Sequence, residues 1–165
     1  MRLTEPADAA EHYCTMFDAN FLPMGVALAE SLRRQSPNSQ LWVLCLDDAT
    51  EAALRRLRLP HVRTIALPEL ETDALRQVKA GRTLREYYWT LTPWTFEAVF
   101  ARAPEAERVT YLDADLYFFQ SPAVLLDMMG PGHQALIKPA SSRSRTKTTL
   151  RPGVSRSSIL CNRRS

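Results

Sequence analysis

The chain has 165 residues, 45% hydrophobic and 24% charged, which is long enough to bury a core and ordinary for a globular domain. Its net charge of +3 arises at the end of the chain, because 139–165 holds seven basic residues and no acidic one, which leaves 14 basic and 18 acidic residues in 1–138. This distribution argues against a basic nucleic-acid groove in the body, and no apolar run approaches the ~18 residues of a membrane span.

Three cysteines, Cys14, Cys45 and Cys161, are an odd number without paired spacing. Cys14 and Cys45 fall in predicted buried strands, where cysteine behaves as a small hydrophobic residue. The acidic N-terminal segment does not resemble a signal peptide. These features together predict a cytoplasmic protein.

The first half of the chain alternates between short apolar runs and amphipathic segments. The predicted elements are, in chain order, a strand at 13–17, a helix at 21–35, a strand at 40–46, a helix at 50–57 capped by Asp48 or Thr50, and a strand at 62–67. Asp47 and Asp48 directly follow the second strand, and helix capping is the favoured role for both. Strands that alternate with helices form parallel sheets. The order therefore predicts an α/β fold with a doubly wound, mostly parallel sheet.

A second group of elements follows a less regular segment at 68–83. Thr83 is a candidate cap for a long helix at 84–102, which Pro93 is expected to kink or split. The elements expected next are a buried strand at 109–112, a short helix at 123–129 and a last strand at 134–137. Because 139–165 has no aromatic or acidic residue and no periodicity, we expect this Ser/Arg-rich tail to be disordered or outside the fold.

Two carboxylates, Asp113 and Asp115, follow the predicted strand at 109–112, and their spacing places both on one side of an extended chain. Like charges repel at the end of a buried strand, and a divalent cation removes this repulsion. Mg²⁺ and Mn²⁺ favour carboxylate oxygens and complete their shell with phosphates and water. The same tripeptide could be a polar turn. Its position at the carboxyl end of a buried strand favours a metal site, because open α/β sheets bind ligands there.

Three blocks of sequence in this order resemble the GT-A nucleotide-diphospho-sugar transferases, and most closely the glycosyltransferase family 8-like group. Within residues 12–137, the blocks are CTMFDANFLPMGVALAESL at 14–32, EYYWTLTP at 86–93, and YLDADLYFF at 111–119 followed by Ser121-Pro122. The resemblance implies a GT-A (Rossmann-like), mostly parallel sheet with flanking helices, incomplete at the C-terminus. It also implies a hexosyltransferase-type enzyme that takes a nucleotide-diphosphate sugar of uridine type and an unknown acceptor.

The resemblance assigns site residues by position and leaves the catalytic residue unknown. Asp113 and Asp115 match the Asp-x-Asp motif, which in such enzymes holds Mn²⁺ or Mg²⁺ against the donor diphosphate. The residues that match the family's nucleotide-binding positions are Thr15, Phe17, Asp18 and Asn20 in the turn after the first strand, with Glu86 and Trp89 in the second block. Asp18 or Asn20 could also cap a helix, and the second block could be an amphipathic core helix.

The chain departs from the family after the Asp-x-Asp motif. Related enzymes continue well beyond it and supply there the acceptor pocket and a third metal ligand. The hypothesis is that 1–138 is the N-terminal part of a nucleotide-sugar-binding domain and that 139–165 is an aberrant or frameshifted end, which would remove transfer activity. One alternative is a non-catalytic fragment with a polyanion-binding basic tail. Another is a haloacid-dehalogenase-like phosphatase, whose Asp-x-Asp normally follows the first strand.

Overall fold

The computed structural model describes residues 11–124, 135–137 and 158–163. Within these residues one sheet contains the strands β1 His12–Phe17, β2 Gln40–Cys45, β3 Val62–Ala66, β4 Arg108–Leu112, β5 Ala135–Ile137 and β6 Ser158–Arg163. Their order in the sheet is β3-β2-β1-β4-β6-β5. β1 to β4 run parallel and β6 is antiparallel to both neighbours. The predicted α/β class and mostly parallel sheet are confirmed.

The helices of the described region connect the parallel strands. They are α1 Leu22–Gln35, α2 Asp48–Leu57, α3 Leu67–Leu70, α4 Asp73–Ala80 and α5 Leu84–Arg102. The less regular segment at 68–83 thus contains most of α3 and all of α4. Of the short helix expected at 123–129, residues 123–124 are helical and the remainder lies outside the described residues. No described helix is long and apolar enough to cross a membrane.

Local capping sets the start of two helices. Thr83 and Glu86 form a capping box at α5, in which the carboxylate of Glu86 accepts the Thr83 N–H at 2.9 Å. The helix then continues through Pro93 as a single element, so the expected split does not occur. At α2 the expected capping role is confirmed for Asp47 and is wrong for Asp48 and Thr50. Asp47 is the N-cap and accepts the Thr50 N–H at 2.7 Å, because the helix begins earlier than its apolar periodicity.

Helices cover both faces of the sheet, which gives three layers. α1 and α2 pack on one face in a core cluster that includes Tyr13 and Phe17, whereas α3, α4 and α5 pack on the other face with Cys14 and Met16. This division follows from the alternation of side chains along β1. Cys14 is a buried free thiol, as expected of a cysteine that serves as a small hydrophobic residue.

β6 lies in the tail that was expected to be disordered. It pairs with β4 from Arg108↔Arg163 to Leu112↔Ile159. The expectation of disorder does not hold for residues 158–163, and the rest of the tail lies outside the described residues. The physical reason is that the edge of β4 offers unpaired backbone groups, which a strand can satisfy without any side-chain pattern.

Candidate functional site

The sheet reverses its winding between β1 and β4. β1, β2 and β3 follow one another toward one edge, and the chain then crosses the opposite face through α3, α4 and α5 to place β4 on the other side of β1. Ligands of open α/β sheets bind beyond the carboxyl ends of the strands at such a switch point. The β1–β4 ladder includes Cys14↔Tyr111, so the chain leaves these two strands side by side, toward Asp18 and Asp113.

The turn after β1 is organised by the carboxylate of Asp18. Its Oδ1 accepts the backbone N–H groups of Asn20 at 3.0 Å and Phe21 at 3.3 Å, and its Oδ2 accepts the side-chain amide of Asn20 at 3.2 Å. Such bonds from an aspartate to the backbone two and three residues later define a tight turn. Asp18 is half-buried and Asn20 is exposed, so their polar groups border solvent at the edge of the sheet.

Asp47, at the end of β2, fastens this turn from the side. Its Oδ2 accepts the N–H of Ala19 at 2.9 Å while its Oδ1 caps α2 through the N–H of Thr50. Burial raises the pKa of the Asp47 carboxyl, but the two hydrogen bonds outweigh burial and hold the pKa below its ordinary value. The sequence predicted a helix cap at Asp47 but not its hydrogen bond to the turn after β1. The available signal was its position directly after the second strand, at the same edge as Asp18.

Two of the sequence-derived nucleotide residues, Thr15 and Phe17, lie beneath this turn. Thr15 is fully buried, and its hydroxyl has no hydrogen-bond partner in the described part of the chain. Phe17 is 2% exposed and belongs to the core cluster under α1, and its carbonyl oxygen accepts the N–H of Leu46 at 3.1 Å. Both side chains are therefore interior and do not line the surface of the crevice.

The segment after β4 alternates between core and surface. Ala114 and Phe118 belong to the core cluster under α1, and Leu116 packs against it. Between them, Asp113 is half-buried and Asp115 is exposed. The segment thus directs its apolar side chains inward and leaves Asp115 exposed and Asp113 partly exposed, just beyond the carboxyl end of β4.

Backbone hydrogen bonds fix this segment on both sides of the carboxylates. The N–H of Leu116 donates to the carbonyl oxygen of Asp113 at 3.1 Å, which closes a turn. The N–H of Phe118 donates to the buried hydroxyl of Ser31 at 3.1 Å, and that hydroxyl donates in turn to the carbonyl of Leu28 at 2.8 Å. Helix α1 therefore supports the turn after β1 and the segment after β4 together.

The described residues offer a divalent cation two carboxylate ligands and leave its remaining ligands to substrate and water. Among them, no group of three or more His, Cys, Asp or Glu side chains gathers where it could hold a metal. Asp113 and Asp115 offer two hard oxygen ligands, and Mg²⁺ and Mn²⁺ are typically held by one or two carboxylates together with substrate phosphates and water. Burial and the negative charges of these two aspartates raise the pKa of Tyr111, the last aromatic residue before them.

The first turns of α5 carry the second block of the sequence resemblance. Glu86 is exposed and accepts both the N–H and the hydroxyl of Thr83, and Trp89 is 68% exposed. Tyr88, between them, is half-buried, and burial with the charges of Asp18 and Asp47 raises its pKa. The resemblance covers the whole block from Glu86 to Trp89, but it assigned only Glu86 and Trp89 to the nucleotide site.

Another cleft, of about 210 Å³, lies at the carboxyl ends of β2 and β3, and Asp47, which holds the turn after β1, also lines it. Its walls further include Asp48, Glu51 and Glu71, and Lys79 in the same wall pairs with Glu71 at 2.7 Å. An acidic wall of this kind repels a diphosphate group. The crevice between β1 and β4 is therefore the better site for an anionic nucleotide with its metal.

Comparison with known proteins gives relatives without an assigned activity. No protein-family model matches the chain. It is 35% identical over 115 residues to the uncharacterized protein YfnF of Bacillus subtilis (strain 168), and the match covers 70% of this chain and 38% of that protein. It is 31% identical over 112 residues to the uncharacterized protein YfnD of the same strain, and this match covers 68% of this chain and 36% of that protein. The chain spans less than two fifths of the length of these relatives.

Several solved structures are similar to parts of the chain. Glycosyltransferase GlyE of Streptococcus pneumoniae TIGR4 is 14% identical, with a TM-score of 0.49 over 92% of this chain and 33% of that chain. Mouse xyloside xylosyltransferase 1 is 19% identical, with a TM-score of 0.48 over 78% and 52%. The bifunctional glycosyltransferase WbbM is 21% identical, with a TM-score of 0.47 over 76% and 22%.

Proposed function

We propose that this chain is the donor-binding part of a GT-A glycosyltransferase of the family 8-like group. It binds a nucleotide-diphosphate sugar of uridine type in the crevice between β1 and β4. The observation that carries the proposal is topological. Two parallel neighbouring strands flank the switch point of the sheet, and each ends in a fixed polar segment, Asp18–Asn20 after β1 and Asp113–Asp115 after β4.

Asp18 and Asn20 are the proposed contacts for the base and ribose. A carboxylate accepts hydrogen bonds from a ring N–H or from ribose hydroxyls, and a carboxamide both donates and accepts. Thr15 and Phe17 form the floor that supports this turn, in keeping with their burial. Asp47 holds the turn against α2 through the N–H of Ala19.

The first turns of α5 are the proposed outer wall of the nucleotide site. Tyr88 lies between Glu86 and Trp89 in sequence, is half-buried and packs against the core cluster beneath α5. Glu86 and Trp89 flank it at the solvent side, where both are exposed. An exposed tryptophan beside a nucleotide site can stack on the planar base.

Asp113 and Asp115 are the proposed ligands of Mn²⁺ or Mg²⁺. When bound, such a cation acts as a Lewis acid and neutralises the charge that develops on a leaving diphosphate. The residues of the chain position it, since the Ser31–Phe118 hydrogen bond holds the segment that carries both carboxylates. Glycosyl transfer and acceptor binding are proposed for the whole protein, and none of the described residues is assigned to them.

Calorimetric titration of uridine diphosphate, with and without Mn²⁺, tests this proposal. The folded chain is expected to bind in the presence of Mn²⁺, and replacing Asp113 and Asp115 by alanine is expected to weaken binding at least about tenfold, which is roughly 1.4 kcal/mol. The matched control is Asp48→Ala with Glu51→Ala, which removes the same charge from the cleft at β2 and β3. Absence of binding by the folded wild type, or equal loss in both double variants, would contradict the proposal.

A further inference from the structure

Gly25 lies in α1 directly against the aromatic ring of Phe17. A β-carbon built on Gly25 would lie 2.3 Å from Cζ, 2.4 Å from Cε1 and 2.8 Å from Cε2 of that ring. Real β-carbons essentially never approach another heavy atom closer than 3.0 Å. The ring therefore occupies the space in which every other residue carries its β-carbon, and only glycine is compatible with the present position of Phe17.

The ring of Phe17 has little room to move away. Phe17 is 2% exposed and shares a core cluster with Leu28 and Leu112, both fully buried. Interiors at this packing density contain few voids that could accept a displaced ring. A methyl group at position 25 must therefore shift Phe17 together with its backbone, or shift the start of α1.

Either shift reaches the turn that carries Asp18 and Asn20. The turn begins at Phe17 and ends at Phe21, and Gly25 contacts both ends. Its α-carbon faces the ring of Phe17, and its N–H donates to the carbonyl of Phe21 at 2.9 Å. Because Asp18 bonds to the N–H groups of Asn20 and Phe21, the polar groups of the turn move with its ends.

We propose that Gly25 is a positioning residue of the donor site. By admitting the ring of Phe17 against the backbone of α1, it sets where Asp18 and Asn20 meet the nucleotide. This inference rests on the proposed function and adds to it a residue outside the polar segments Asp18–Asn20 and Asp113–Asp115. Relief of the contact requires a displacement of roughly 1 Å, a misplacement that costs on the order of 10²-fold in a preorganised site.

A purely structural role predicts that Gly25→Ala lowers the free energy of unfolding and leaves the affinity unchanged, because the clash with Phe17 would then act on the core alone. Where no such clash exists, replacing a helical glycine by alanine ordinarily favours the helix, because alanine loses less backbone entropy. Gly81 provides a matched control, since a β-carbon there would meet nothing closer than the carbonyl oxygen of Val78 at 4.0 Å. Phe17→Leu removes ring atoms from the contact and provides a rescue partner for Gly25→Ala.

Titration of uridine diphosphate with Mn²⁺ into five proteins tests the inference: wild type, Gly25→Ala, Gly81→Ala, Phe17→Leu and the Gly25→Ala, Phe17→Leu double variant. Gly25→Ala is expected to bind at least about tenfold more weakly, Gly81→Ala to match wild type, and the double variant to match Phe17→Leu. Unchanged affinity in folded Gly25→Ala would overturn the inference. If Gly25→Ala does not fold, a folded double variant that binds like Phe17→Leu supports it, and one that binds more weakly overturns it.

Failure of the proposed function gives a distinct result, in which wild type itself binds no uridine diphosphate. The inference is then decided by the amide chemical shifts of residues 18–20 in the ligand-free proteins. Gly25→Ala is expected to move them and Gly81→Ala to leave them in place. Unmoved shifts in Gly25→Ala would overturn the positioning role.

Discussion

The carboxylate of Asp47 accepts the backbone N–H of Ala19 at 2.9 Å, across 28 residues of sequence. The other oxygen of the same carboxylate accepts the N–H of Thr50 at 2.7 Å and caps α2. One side chain thus fixes a helix start and the turn that carries Asp18 and Asn20. Structural support and the proposed nucleotide site are coupled at this residue.

Replacement of Asp47 by alanine is expected to affect both stability and binding. The lost helix cap alone costs about 1 kcal/mol, and the freed Ala19 N–H loosens the turn, which lowers affinity for uridine diphosphate. Urea unfolding and calorimetric titration measure the two effects. Asp48→Ala, at the exposed neighbouring position, is the control and is expected to change stability by only a few tenths of a kcal/mol. Equal behaviour of the two variants would contradict the coupling.

The hydroxyl of Ser31 is expected to matter for metal-dependent binding although it lies in α1. Ser31→Ala leaves the buried N–H of Phe118 without its acceptor, which costs about 1–3 kcal/mol. The segment that carries Asp113 and Asp115 then loses its anchor, so the Mn²⁺ requirement for nucleotide binding is expected to shift to higher concentration.

Ser39→Ala is the matched control for Ser31. The Ser39 hydroxyl donates to the carbonyl of Ser36 at 2.7 Å, at the amino-terminal side of β2 and away from the crevice. Titration of Mn²⁺ at fixed uridine diphosphate compares the two proteins. If the midpoint moves equally in both, Ser31 acts only through overall stability.

His12 is expected to make the fold sensitive to mild acid. The indole N–H of Trp42 donates to Nδ1 of His12 at 3.1 Å, so this nitrogen carries no proton in the bonded state. Burial lowers the pKa of His12, with Glu105 and Glu11 opposing the shift. The unfolded chain therefore takes up the proton first, and stability that is complete above about pH 6.5 declines as pH falls toward the folded pKa.

Thermal melts across this range compare wild type with His12→Phe, which cannot titrate. The wild-type melting temperature is expected to fall more steeply than that of the variant between about pH 7 and pH 5.5. Trp42 fluorescence provides an independent readout of the same bond. Parallel melting curves for the two proteins over this interval would assign the acid sensitivity to other groups.

Local patterns in the sequence, such as helix caps and apolar runs, were sufficient to predict much of the fold. The helix expected at 84–102 matches α5, because Thr83 and Glu86 form their capping box within one turn of chain. The burial of β4 follows from its apolar run, and Val109 and Leu112 are fully buried. Such features depend on neighbours in sequence, which periodicity and capping rules read directly.

The remaining features depend on distant partners and could not be inferred in this way. The bond between Asp47 and Ala19 requires the pairing of β1 with β2, and β6 requires its partners β4 and β5. The resemblance placed Phe17 among nucleotide-binding positions, whereas the structure buries its ring against Gly25. No spacing rule indicates such a contact, because it requires the packed position of α1 on the sheet.

Whether the crevice between β1 and β4 holds the donor nucleotide is tested most directly by amide NMR of the ¹⁵N-labelled chain with uridine diphosphate and Mn²⁺. Paramagnetic broadening is expected at residues 113–118 and 17–21, and is expected to disappear in the Asp113→Ala, Asp115→Ala variant. Broadening centred on Asp48, Glu51 and Glu71 in the other cleft, or no broadening in a folded chain, would contradict the assignment.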